Sequence, residues 1–88
     1  MPLYAVSFRR SAEKDLQRLD EAVQGRVISA VEGLATNPRP FGFRKLQSRR
    51  DDVFRIRVGD YRVIYAVDDG AKVVTVERIR HRREVYRG

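Results

Sequence analysis

The sequence predicts an α+β domain: an N-terminal strand, a two-helix hairpin, then an antiparallel three-stranded meander with the helices packed on one face of the sheet. Three observations predict it. Apolar residues recur at helical spacing in the first half, the period changes to two from Val53 onward, and turn-forming residues separate the apolar runs. Eighty-eight residues suit one domain, residues 1–88, with no room for a second core.

Leu3 to Phe8 is β-prone. Ser11 is expected to cap the first helix with its hydroxyl, and Ala12, Leu16 and Leu19 follow as one apolar stripe. Asp20 is expected to cap the second helix. Val23, Val27, Val31 and Leu34 form its apolar face, which Ile28 and Ala30 widen. This helix should end before Asn37-Pro38, because a residue preceding proline disfavours the α region. Pro38, Pro40 and Gly42 make the next stretch a loop.

Alternation then takes over. Phe54, Ile56 and Val58 share one face of a strand, and Val53, Arg55 and Arg57 share the other. Gly59-Asp60 fits a two-residue type II′ hairpin turn. The return strand, Tyr61 to Val67, carries Tyr61, Val63, Tyr65 and Val67 on one face and Arg62, Ile64 and Ala66 on the other. Asp68-Asp69-Gly70 marks another turn, and Lys72 to about Ile79 reads as a third strand whose alternation slips near Arg78, the mark of a β-bulge.

Composition narrows the function. Zero Cys excludes disulfides, thiolate chemistry and cysteine-based zinc sites, and a single His excludes a multi-histidine metal site. No apolar run approaches the ~18 residues of a membrane span, so a cytoplasmic protein with no membrane association and no cofactor is expected. Net charge is +7, of which residues 44–88 carry +6, and the natural partners are anions. Arginine outnumbers lysine 16 to 3, and its planar fork of donors suits phosphate.

Hairpin geometry locates part of that charge. With Gly59-Asp60 as the loop, Arg57 lies opposite Arg62 on the face that Arg55 also occupies. Like charges directly opposite in a sheet are destabilising, so water, carboxylates or an anionic ligand must offset the repulsion. Either this is a solvated face, with Glu77 opposite Arg62 as a local partner, or it is a phosphate-binding surface. The run from Arg78 to Arg87 adds five arginines, the one histidine, His81, and Tyr86. Tyrosine stacks on unpaired bases, and histidine moves protons near neutral pH.

Three segments carry a family resemblance: Phe54 to Tyr65 (FRIRVGDYRVIY), Val73 to Val76, and His81 to Tyr86 (HRREVY). With Phe8 to Leu16 and Leu34 to Pro38, they resemble the RelE/ParE superfamily of toxins, the RelE branch in particular, over essentially the whole chain. The resemblance implies the toxin of a type II toxin–antitoxin pair. Such a protein is an endoribonuclease that cuts mRNA in the ribosomal A site without metal, by attack of the ribose 2′-OH on the adjacent phosphate. A cognate acidic antitoxin would be its second partner, beside the ribosome.

By position, Arg62 matches the family's phosphate-binding arginine, Arg82 the arginine associated with leaving-group stabilisation, and Tyr86 the tyrosine that stacks on or orients the nucleotide. Arg55 and Arg57 stand where the best-known members have two lysines. Arginine effectively cannot lose its proton, so His81 is the expected acid or base. Lys45, Arg80 and Arg83 join Arg55 and Arg57 as expected phosphate-binding cations. Two other readings remain at this point: a ParE-like inhibitor of DNA gyrase, and a non-catalytic basic module that only docks on RNA or protein.

Overall fold

The computed structural model describes residues 3–45 and 52–83. Seven elements follow in order: β1 (Ala5–Phe8), α1 (Arg10–Gln17), α2 (Glu21–Thr36), β2 (Arg44–Lys45), β3 (Val53–Val58), β4 (Tyr61–Asp68) and β5 (Val73–His81). They form one five-stranded sheet in the order β1-β5-β4-β3-β2. The expected meander is its centre, formed by β3, β4 and β5. β1 adds to it in parallel, Ala5 beside Val73 through Phe8 beside Val76, which makes the sheet mixed. β2 adds two residues at the other edge, Arg44 opposite Arg55 and Lys45 opposite Phe54, in a stretch too short to show any period.

One face of the sheet is closed by the helices. Ala12 of α1 and Val27, Val31 and Leu34 of α2 are buried against Phe54, Ile56, Val63, Tyr65, Val67, Val74, Val76 and Ile79. This is the alternation anticipated for β3 and β4, carried across to β5. Asp20 caps α2 as expected, its side chain accepting the Val23 N–H at 3.2 Å, and α2 ends at Thr36, ahead of Asn37-Pro38. No described helix is long and apolar enough to cross a membrane.

The α1 cap differs from expectation. The helix begins at Arg10, Arg9 occupies the cap position without a side-chain bond, and the Ser11 hydroxyl instead donates to the Glu77 carbonyl at 2.9 Å. The reason lies in β5. β1 pairs with β5 only as far as Val76, so the later backbone groups of β5 would have no strand beside them. The chain after β1 satisfies them instead. Arg9 N–H donates to the Val76 carbonyl at 2.8 Å, Ser11 to Glu77, and Ile79 N–H to a carboxylate oxygen of Asp15 at 3.0 Å. Buried backbone groups rarely go unpaired, and here a helix does the work of a strand.

Asp15 was not anticipated as a core residue. It is 8% exposed and also receives Arg78 in a two-pronged ion pair, Nε at 2.8 Å and the terminal nitrogen at 3.2 Å.

The bulge near Arg78 is present, and Glu77 is the extra residue: Tyr65 faces Val76, whereas Ile64 faces Arg78. The preceding turn is also displaced by one residue, from 68–71 to 69–72. β5 starts at Val73, opposite Asp68, and Lys72 takes a φ of +59°. Together these move the register, so Arg62 faces Arg80 rather than Glu77. The local acidic partner expected across the strand from Arg62 is therefore replaced by another arginine. Glu77 instead meets Arg9, at 3.6 Å.

Candidate functional site

The β3–β4 hairpin forms as its sequence requires. Gly59 has a φ of +60°, the left-handed conformation that a type II′ turn demands at its first central position, and Val58 faces Tyr61 across it. That register sets Arg57 directly opposite Arg62. Because Arg62 also faces Arg80, three guanidinium-bearing residues stand side by side across β3, β4 and β5. Directly opposed residues have Cβ atoms about 4.5–5.5 Å apart. Arg55 occupies the same face two residues before Arg57, with Arg44 beside it on β2.

The row is graded in depth. Arg57 is exposed, Arg80 half-buried, and Arg62, at the centre, only 2% exposed. Arg55, Arg62, Arg80 and Lys45 each make at least one polar, ionic or ring contact. Burying a guanidinium in a row of like charges is expensive. Arg62 is thus a buried cation between two others, a concentration of positive charge that suits an oxyanion.

The end of β5 supplies the neighbouring groups. Arg82 donates its backbone N–H to the Asp60 carbonyl at 2.8 Å, which ties the exposed Arg82 and Arg83 to the Gly59-Asp60 turn. His81 faces Tyr61, with the rings edge to face and their centroids 5.2 Å apart. Its Nδ1 accepts the Arg83 N–H at 3.2 Å.

By alternation, His81 and Tyr61 share the helix-side face and the Arg57–Arg62–Arg80 row occupies the other. Of the expected cations, Arg55, Arg57, Arg62 and Arg80 are thus brought onto one face. Lys45, opposite Phe54, falls on the helix-side face, as does His81 at the row's end of the sheet. His81 lines a hollow of about 300 Å³ with Asp15, Arg18, Tyr61 and Arg78. Tyr86 lies outside the described residues.

Two further cations were missed from sequence. Arg44 joins Arg55 through β2, whose two residues gave no periodic signal. Arg26, on α2, approaches the Gly59 turn and shares a small hollow with it, a proximity that only the packing of α2 on the sheet reveals. Among the described residues no group of three or more His, Asp or Glu side chains is arranged to hold a metal ion.

This fold belongs to a class, the small toxins of type II toxin–antitoxin systems. Residues 6–86 match the family model described as the ParE toxin of type II toxin-antitoxin system, parDE, and the chain belongs to the RelE/ParE superfamily of such toxins.

Within it the chain is RelE-like. Toxin RelE of Mycobacterium tuberculosis is 38% identical over 85 residues, spanning 96% of this chain and 87% of that one. Toxin RelG of the same organism is 32% identical over 85 residues, covering 96% and 97%. Among solved structures, the archaeal RelE–RelB complex from Pyrococcus horikoshii matches with a TM-score of 0.80 at 34% identity, covering 91% of this chain and 96% of its counterpart.

Proposed function

We propose that this toxin is a ribosome-dependent endoribonuclease that cleaves mRNA in the A site, acts in the cytoplasm, and is neutralised by a cognate acidic antitoxin. The observation that carries the reading is the row of Arg57, Arg62 and Arg80, with Arg62 buried at its centre. The antitoxin partner is supported by similarity to RelE solved as a complex with RelB.

The 2′-OH of one nucleotide attacks its own 3′-phosphate, the phosphorus–oxygen bond to the next nucleotide breaks, and a 2′,3′-cyclic phosphate and a 5′-OH result. Charge builds on the non-bridging oxygens of the phosphorane, and Arg62 with Arg57 and Arg80 stabilises it; fixed donors act most strongly where charge develops. Arg55, Lys45 and Arg83 hold flanking phosphates, Arg82 stabilises the leaving oxygen, and Tyr86 stacks on the nucleotide. His81 takes one proton step, as acid or base, on a phosphate that reaches it around the end of the sheet, because it lies on the face opposite the row. Its Nδ1 is engaged with the Arg83 N–H, so the exchange runs through Nε2.

Primer extension on mRNA in translating ribosomes tests this. Wild-type protein is expected to cut within the A-site codon, and Arg62→Ala to lower the rate about 10²–10³-fold. His81→Ala and Tyr86→Phe are expected to slow it as well. Absence of cutting by the wild type, or cutting at the wild-type rate by all three variants, overturns the mechanism.

A second reading, inhibition of DNA gyrase, is favoured by the ParE description of the matching family. A supercoiling assay discriminates: inhibition of gyrase without mRNA cleavage selects it.

A further inference from the structure

Phe41 stands fully in water, at 108% of the reference exposure. The loop that carries it is braced on every side. The buried Tyr65 hydroxyl donates to the Pro38 carbonyl at 2.6 Å, and Arg39 holds Asp69 through two hydrogen bonds, at 3.3 and 2.9 Å. Phe43 N–H closes a turn onto the Pro40 carbonyl at 3.0 Å, and Gly42 adopts a φ of +93°. Pro40 fixes its own backbone torsion as well. The ring is therefore presented outward by a rigid support.

A hollow of about 300 Å³ opens beside the ring, walled by Ala30 and Gly33 of α2, by Phe41 itself, and by Ile56 and Arg57 of β3. It exists because β2 pairs only with Phe54 and Arg55, which leaves Ile56 and Arg57 at an uncovered edge. Its volume is at the low end of the range for small-molecule sites, ~300–1,000 Å³. Cations outnumber acids around it: Arg44 and Lys45 follow the ring in sequence and Arg57 lines the hollow, while Arg39 is paired with Asp69. An outward aromatic plane beside an exposed guanidinium matches a nucleotide, with the base on the ring and the phosphate on the cation.

We propose that Phe41 is a stacking platform for the unpaired RNA base that flanks the phosphate contacted by Arg57. This rests on the reading of the chain as an RNA-cleaving toxin and adds a subsite to it, on the loop side of the arginine row.

The chain contains no tryptophan, so Phe41→Trp creates a single reporter in the full-length protein. It is titrated with a short, non-cleavable 2′-O-methyl RNA, while overall binding is followed by anisotropy of the labelled RNA. Saturable quenching of the tryptophan is expected, and it should vanish when abasic residues replace the bases. Phe41→Ala and Phe41→Leu should both weaken binding roughly 5- to 100-fold, and Phe41→Tyr should restore it.

RNA binding or A-site cleavage with unchanged tryptophan emission overturns this subsite and leaves the nuclease reading intact. RNA neither bound nor cleaved by the wild type overturns both. Quenching by an acidic peptide but not by RNA, or full RNA binding by Phe41→Leu, assigns the ring to a protein partner and overturns the proposal.

Discussion

At the scale of single residues, Tyr65 connects the core to the loop beside the site. Its ring is fully buried between strands and helices, and its hydroxyl spans 27 positions of sequence to reach the Pro38 carbonyl. Tyr65→Phe keeps the ring and strands that carbonyl, so a loss of about 1–3 kcal/mol is expected, measured by urea unfolding. Burial also pushes the phenol up to about 12 from its ordinary 10.0. The folded protein therefore keeps a proton that the unfolded chain releases. The contribution of Tyr65 should be flat with pH below 10, and stability should fall as pH rises from 10 towards 12. Phenolate absorbance against pH, followed beside circular dichroism, checks the sign; ionisation of all four tyrosines near 10 without unfolding would contradict it. Nothing in the sequence set Tyr65 apart from the apolar residues around it, because its partner is a backbone group of a distant loop.

At the scale of elements, the legible and illegible parts separate by range. Asp20 and the Gly59-Asp60 turn act on residues within a few positions of themselves. The α2 cap and the Arg57–Arg62 pairing could therefore be read directly. Arg80 joining that row depended on a one-residue displacement of the β4–β5 turn and the bulge at Glu77, neither fixed by alternation alone. The place of His81 on the opposite face follows from the same register.

The packing of α1 along β5 was equally hidden, since it arises where β1 stops. Asp15→Ala tests this seam. It removes the acceptor for both Arg78 and the Ile79 N–H. Hydrogen bonds to charged groups contribute about 1.5–3 kcal/mol, and a loss in that range is expected in denaturant unfolding. Faster amide exchange at Ile79 should accompany it. Destabilisation without local exchange would mean that α1 does not cover that edge.

At the scale of the whole molecule, the two ends of the sheet do different work. The end with the Gly59-Asp60 turn gathers Arg57, Arg62, Arg80, His81 and Arg82. The end with the β4–β5 turn is a clamp. Asp69 accepts from Arg39 and from the Tyr4 hydroxyl, at 2.6 Å, and joins three segments of the chain. Hydrogen bonds from Arg39, then from Tyr4, hold the Asp69 carboxyl below its ordinary 3.8. Its contribution is thus present above that value and lost as pH falls through the lowered one. Thermal melts at successively lower pH should fall off less steeply for Asp69→Asn than for wild type; identical slopes would remove the clamp from the account.

The pairing of β1 with β5 also has a consequence in time. β5 lies between β1 and β4, and Ala5 meets Val73 across 68 positions of sequence. A nascent chain ending at Asp68 has its first strand with no neighbour to join, and contacts this distant form slowly. The sheet closes only when β5 emerges from the ribosome. The same segment carries Arg80 and His81, so the protein cannot acquire its fold before it acquires its charge row.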